Sequence, residues 1–345
     1  MNDRVRRVMP GLLGLLLIAA GLVILRVLLD RPPEGATIGL SGGNVSGGGG
    51  LTLAWPPAEV ARFRWTAAAC AALVGAALSV SGVLLQALLR NPLASPFVLG
   101  LSGGAGLGVT VAMYIGYATG FTMLQTGGSM LPALVGALVV LGVVYGLGRR
   151  GGWVDPLSMV LIGVVVSAIC GALTMMFQQL APAGLHAEMA RWMFGRIPQA
   201  LPSATMTLLA AVTAVGVLLA AMLGRAMDAA TFGDDEARSI GLDVGRVRLA
   251  MFTLAGALAA AAVAVAGPIA FVGIIGPHAA RLIIGPRHRT LVIGGAACGA
   301  IVLLAAEIAS QALPIGPGRM PVGVFTALLG GPAFIWLLRS GRGQA

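Results

Sequence analysis

The chain contains no lysine; all 22 of its basic residues are arginine. A Walker A loop needs a lysine to reach the nucleotide phosphates, so ATP cannot be bound that way here. Schiff-base and pyridoxal chemistry also need a lysine amine and are excluded. Charge of either sign is scarce, at 10% of 345 residues, against about 25% in an ordinary soluble domain. Aromatics make up only 5%, so the apolar content is aliphatic side chains. The three cysteines, Cys70, Cys170 and Cys298, lie inside apolar runs with no CxxC partner or neighbouring histidine. They argue for neither a disulfide framework nor a metal site and read as small packing residues.

What the chain has is hydrophobic residues, 58% of the total. That excludes a disordered protein, a soluble globular enzyme and a peripheral protein on one anchor. An all-α polytopic membrane protein remains. A helix needs about 20 apolar residues to cross the hydrocarbon core. Apolar runs occur at 9–29, 66–88, 97–117, 130–148, 158–180, 203–223, 249–267, 270–284, 291–311 and 321–338, which predicts ten spans. The eighth is short and broken by Gly276-Pro277, which leaves nine as the alternative count. The first follows Arg4, Arg6 and Arg7 without a small-residue cleavage site, and reads as an uncleaved span. The whole of 1–345 reads as one transmembrane domain.

The net charge of +10 sits in the short gaps between apolar runs, which fits the positive-inside bias rather than nucleic-acid binding. With the N-terminus inside, fifteen arginines fall in inner segments. Six fall outside: Arg31, Arg62, Arg64, Arg191, Arg196 and Arg319. Both termini are then expected in the cytoplasm, in a multi-pass protein of the cell's inner membrane. Two hydrophilic stretches stand out. Residues 31–64 form an external loop with a low-complexity Gly/Ser piece. Residues 224–248 form an internal loop holding Asp228, Asp234, Asp235, Glu236 and Asp243. Asp234 and Asp235 suit the start of a short helix, and Gly241 suits its end. By itself this segment is either a docking element or a solvated loop with a helical turn.

Several segments together resemble the FecCD family of ABC-transporter permeases, over nearly the whole chain and in order. They are Gly75-Ala-Ala-Leu-Ser-Val-Ser-Gly82 through Gln86-Ala-Leu-Leu-Arg-Asn-Pro-Leu-Ala-Ser-Pro96, Leu99-Gly-Leu-Ser-Gly-Gly-Ala-Gly106 and Arg191-Trp-Met-Phe-Gly195. They continue with Glu236-Ala-Arg-Ser-Ile-Gly-Leu242, Ala266-Gly-Pro-Ile-Ala-Phe-Val-Gly-Ile-Ile-Gly-Pro-His-Ala-Ala-Arg281 and Pro321-Val-Gly-Val-Phe-Thr-Ala-Leu-Leu-Gly330. The resemblance implies a type II ABC importer permease of ten helices. Such a permease pairs with a second permease subunit, either a copy or a paralogue. Two ATPase subunits dock inside and a substrate-binding protein docks outside. The cargo it implies is an iron–siderophore, with haem or cobalamin as alternatives, and no cofactor in this chain. It also tilts 224–248 towards a coupling-helix loop, with Asp234, Asp235, Glu236, Ala237, Arg238 and Gly241 at the ATPase-coupling positions.

For docking of the binding protein the resemblance points to Arg62 and Arg64. The family's Arg-x-x-Arg run, eight residues before the glycine matching Gly75, is here Arg-Phe-Arg, with Arg64 eleven before. A second family arginine is replaced by Gln311, and Arg319 stands where relatives often have Glu. The fifth span lines the path in the family, which makes Met175, Met176, Gln178 and Gln179 candidates; ordinary packing is the plainer account of them. Glu307 is the single carboxylate deep in a predicted span. An intramembrane ionisable group is a functional candidate by default, and three readings compete: a structural polar contact, a path-lining group or a proton site. The last would suit an ion-gradient-driven secondary transporter. His278 invites a haem-ligand reading, but one histidine without a partner is weak. A membrane hydrolase would need a Ser–His pair, and Ser310 and His278 fall in different segments.

Overall fold

A computed structural model describes residues 3–30, 52–53, 55–120, 129–150, 153–313 and 320–340. Twelve helices are present among them: α1 (Asp3–Leu28), α2 (Ala58–Leu89), α3 (Leu101–Thr119), α4 (Met130–Leu147), α5 (Pro156–Leu180), α6 (Ala183–Met193), α7 (Ser203–Ala230), α8 (Asp234–Ser239), α9 (Val244–Ala266), α10 (Val272–Ile284), α11 (His288–Ala312) and α12 (Val322–Ser340). Two two-residue antiparallel ladders join Leu29–Asp30 to Thr52–Leu53 and Arg149–Arg150 to Trp153–Val154. Eight helices are long and apolar enough to cross a membrane, and α10 and α12 carry shorter apolar stretches. Each of the ten expected runs is a helix.

The loops are shorter than the hydrophilic stretches suggest. Helix α2 begins at Ala58, inside the expected 31–64 loop, and α7 continues to Ala230, inside the expected 224–248 loop. A helix satisfies its own backbone bonds. It can therefore run past its apolar segment, where it carries polar residues such as Arg62, Arg225 and Asp228. Helix α6 has no counterpart among the predicted spans, being too short and polar to register as one.

The break near the eighth span also falls elsewhere. Helix α10 runs straight through Gly276-Pro277, while the irregular stretch lies at Gly267–Phe271. Proline frees the carbonyl four residues earlier, here that of Gly273, and the Gln86 side chain donates to that oxygen at 3.5 Å. The irregular stretch keeps some of its bonds locally, Gly267 N–H to Val263 O at 2.8 Å and Val272 N–H to Ala270 O at 2.9 Å, and the backbone beside it is tied to its neighbours. Arg196 N–H donates to Ala266 O at 2.8 Å, and Gly323 N–H donates to Gly195 O at 3.3 Å. Gly195 sits at φ 68°, and a Cβ there would lie 2.3 Å from Pro268 O. Non-helical backbone at membrane depth survives only when protein satisfies it in this way.

Helices α2, α9 and α11 form the interior, whereas α1, α5 and α7 expose most of their surface. Lipid tails give helices little hydrophobic reason to associate, so small residues set the close approaches. Two crossings show this. A Cβ on Gly75 would fall 2.3 Å from Gly299 O, and one on Gly82 would fall 1.9 Å from Gly273 O. We expect Gly82→Val to cost about 3 kcal/mol, the upper end of overpacking penalties. Gly21→Ala, which meets nothing within 4 Å, should stay within about 0.5 kcal/mol. Thermal unfolding of the purified chain in detergent separates the two, and equal melting temperatures would refute the crossing argument.

Candidate functional site

One face of the bundle gathers the ends of α2, α7 and α10 with α8 and the starts of α9 and α11. It begins with a strained residue. Arg90, just past α2, adopts φ 48°, with its N–H bonded to Ala87 O and the Asn91 N–H to Gln86 O. This is a Schellman closure, where glycine is usual and an L side chain costs about 1–2 kcal/mol. The arginine has work to do from there. Its Nε and Nη2 donate to Ala230 O at 3.1 and 2.8 Å, capping α7, and Nη2 also meets Asp234 Oδ1 at 2.5 Å. Arg248 Nη2 holds both oxygens of Asp234, at 3.0 and 2.8 Å. Asp234, at the first turn of α8, is therefore clamped between α2 and α9.

The remaining expected coupling residues divide by direction. Ala237 is buried, and Asp235, Glu236, Arg238 and Gly241 are exposed. The Glu236 carboxylate lies over Gly233 (φ 144°) at the helix N-terminus, where negative charge is favourable. Gly241 (φ 83°) and Leu242 bond back to Arg238 O and Ala237 O, a second Schellman closure. Two residues that sequence reasoning passed over flank this foot: Phe232 is 80% exposed and Ile240 is 71% exposed. Large apolar side chains bare at a polar face mark a contact surface, and the available signal was their adjacency to the acidic run. We expect Asp234→Asn to leave the bundle folded and to speed limited proteolysis within 231–243 several-fold, since a neutral amide forfeits charge-assisted bonds. An unchanged cleavage rate would remove the clamp.

At the opposite end, Arg62 is exposed while Arg64 turns inward and donates to Val27 O at 3.1 Å. Arg319 lies outside the described residues. Arg26 of α1 meets Glu307 of α11 through Nη2 at 2.8 Å and Nε at 3.2 Å, and the Arg26 and Glu307 side chains are 1% and 6% exposed. With its amide turned to place oxygen inward, Gln311 also accepts from the Arg26 guanidinium. Glu307 borders a hollow of about 560 Å³ with a mixed lining, in which Arg191, Arg196, Gln199 and Ser310 are the other polar residues.

On the side wall, α5 exposes Met175, Met176 and Gln179, and Gln178 is half-buried. A groove of about 680 Å³ runs between α3, α5 and α12, lined by Phe97, Ser102, Ser167, Phe194 and Val324 among others. It is mostly apolar with two hydroxyls. His278 lies midway along α10, and no group of three metal-ligating side chains occurs among the described residues.

A model of the FecCD transport family matches residues 54–340. The ferric enterobactin transport system permease protein FepG of Escherichia coli (strain K12) is 38% identical over 279 residues, covering 81% of this chain and 82% of the relative. The hemin transport system permease protein HmuU of Yersinia pestis is 35% identical over 274 residues, with coverages of 79% and 81%. The vitamin B12 import system permease protein BtuC of Escherichia coli O9:H4 (strain HS) is 33% identical over 270 residues, with coverages of 78% and 80%. A solved structure described as an inward-facing conformation of a metal-chelate type ABC transporter superposes with a TM-score of 0.80 at 23% identity, covering 96% of this chain and 98% of that one. This last likeness speaks for the fold.

Proposed function

The chain belongs to the FecCD transport family, and from that premise we propose that it is the permease of an ABC importer carrying an iron–siderophore complex across the inner membrane. It is a transport subunit of a multi-span membrane machine, and its lysine-free sequence leaves ATP to a partner chain. Two cytoplasmic ATPase subunits, a second permease subunit and an external binding protein complete the assembly. Both termini face the cytoplasm, on the arginine-rich side with α8.

One observation carries the reading: α8 projects Asp235, Glu236 and Arg238 between the bare Phe232 and Ile240, while Asp234 ties it to α2 and α9. A foot so held passes displacement into the bundle instead of absorbing it. Nucleotide binding on the ATPases moves α8. The clamp hands that movement to α2, α7 and α9, and the groove beside α5 and α12 opens to alternate sides. Arg62 supports docking of the binding protein by steering more than by tight pairing. Cargo is passed along Met175, Met176, Gln178 and Gln179, whose soft or neutral side chains suit a bulky ligand held briefly.

The test is reconstitution of this chain with its ATPase and binding protein in proteoliposomes. Uptake of a ferric siderophore should require ATP and all three components. Uptake by the chain alone under a proton gradient would refute the reading, and uptake of haem or cobalamin in preference to siderophore would correct the cargo.

A further inference from the structure

The inner face also holds a cleft of about 920 Å³ bounded by the ends of α2, α7 and α10 and the start of α11. Five arginines line it, Arg90, Arg225, Arg281, Arg287 and Arg289, against one carboxylate, Asp228. That carboxylate is already engaged, accepting from the His288 N–H at 3.0 Å and facing its ring Nδ1 at 2.7 Å. Arg90 is spent on Ala230 and Asp234, and Arg281 donates to Gln86 Oε1 at 3.0 Å. The guanidiniums of Arg225, Arg287 and Arg289 are exposed and have no hydrogen-bond or ion-pair partner among the described residues. Three free cations in one recess repel one another, and the arrangement calls for an anion with several oxygens, which guanidinium forks recognise well.

The surroundings select the kind of anion. Leu208, Val215, Leu218 and Met222 stand 50%, 54%, 61% and 70% exposed on α7, and their spacing places them on one helical face. That face ends in Arg225. Beside it, the α11 backbone at Arg289 packs against Gly224, where a Cβ would come within 2.6 Å of the Arg289 backbone nitrogen, and the Arg225 and Arg289 side chains line the same cleft. One turn further along α11, Ile293 is also exposed. An apolar stripe for an acyl chain thus runs directly into a pair of guanidiniums at the depth where the spans end. A soluble polyphosphate would have no use for the stripe. Basic recesses between helices on the cytoplasmic side are suited to anionic lipid headgroups.

We infer that this cleft binds the phosphate headgroup of an anionic phospholipid, through Arg225, Arg287 and Arg289, with an acyl chain along the Leu218–Met222 face of α7. The site is distinct from the cargo groove, and its test does not involve transport.

The full chain, purified in mild detergent, is titrated with phosphatidylglycerol or cardiolipin and with phosphatidylcholine, and retained lipid is counted by native mass spectrometry. Wild type should retain the anionic lipids at least about tenfold better than phosphatidylcholine, and Arg225→Gln with Arg289→Gln should abolish that preference, since each basic residue near an anionic surface adds to binding. Arg225→Lys with Arg289→Lys should keep most of it, which shows that a misfolded chain is not the cause. Arg246→Gln, whose side chain is 89% exposed and outside the cleft, should match wild type. A third arm uses inorganic pyrophosphate in lipid-free detergent. Equal retention of both lipid classes, retention unchanged in the Gln pair, or displacement of the anionic lipid by millimolar pyrophosphate would each overturn the inference.

Discussion

Glu307→Ala is expected to destabilise the purified chain by about 3–5 kcal/mol, because it strands the Arg26 guanidinium in the bundle without its counter-charge. The pair is nearly solvent-free, and a lone charge at membrane depth has no cheap alternative partner. Gln311 softens the loss by accepting from Arg26, but a neutral amide does not cancel the charge. Replacing both partners, Arg26→Met with Glu307→Leu, should recover stability to within about 1.5 kcal/mol of wild type, since a buried ion pair and an apolar pair of similar size are often close to isoenergetic. Detergent-solubilised unfolding curves measure both. A Glu307→Ala chain as stable as wild type would show that the pair contributes nothing. The double variant then answers a functional question. Wild-type uptake in it makes Glu307 a tie holding α1 to α11. Stability regained without uptake makes Glu307 a participant in the path. A pH-dependent defect confined to Glu307→Gln would revive the ion-coupled alternative.

The second large effect falls on the inner foot. Asp235→Arg with Glu236→Arg should abolish co-purification of the ATPase and lower ATP-driven uptake by about two orders of magnitude. The melting temperature should remain near that of wild type. Both side chains are exposed, so the fold loses little, whereas a reversed charge at an interface both removes attraction and adds repulsion. Phe232→Ser with Ile240→Ser should weaken the same complex without touching its charge. Retained ATPase binding in the arginine pair would displace α8 from the coupling role.

Much of this architecture is legible in the sequence. The span positions are, because crossing a membrane depends on the hydropathy of one local window, and each of the ten windows became a helix. The short helix between α7 and α9 was legible too, since Asp234 to Gly241 combine an acidic start, a helical middle and a glycine stop within eight residues. The roles inside that segment were not. Asp234 looks equivalent to Asp235 in sequence, yet Arg90 and Arg248 turn it inward and leave its neighbour to the solvent. Arg62 and Arg64 likewise look interchangeable two residues apart, but 200° of helical rotation sends Arg64 to Val27 O and leaves Arg62 outside.

By itself the sequence determined a lysine-free, multi-span permease with ten apolar helical runs and one acidic segment between them, because composition, hydropathy and short motifs act locally and additively along the chain. Only the tertiary structure decided which charges meet. Arg26 finds Glu307 across 281 residues and Arg90 finds Asp234 across 144. Those encounters depend on how closely the helices cross, which glycine pairs such as Gly75 with Gly299 set by leaving no room for a Cβ. No local window of sequence carries that distance.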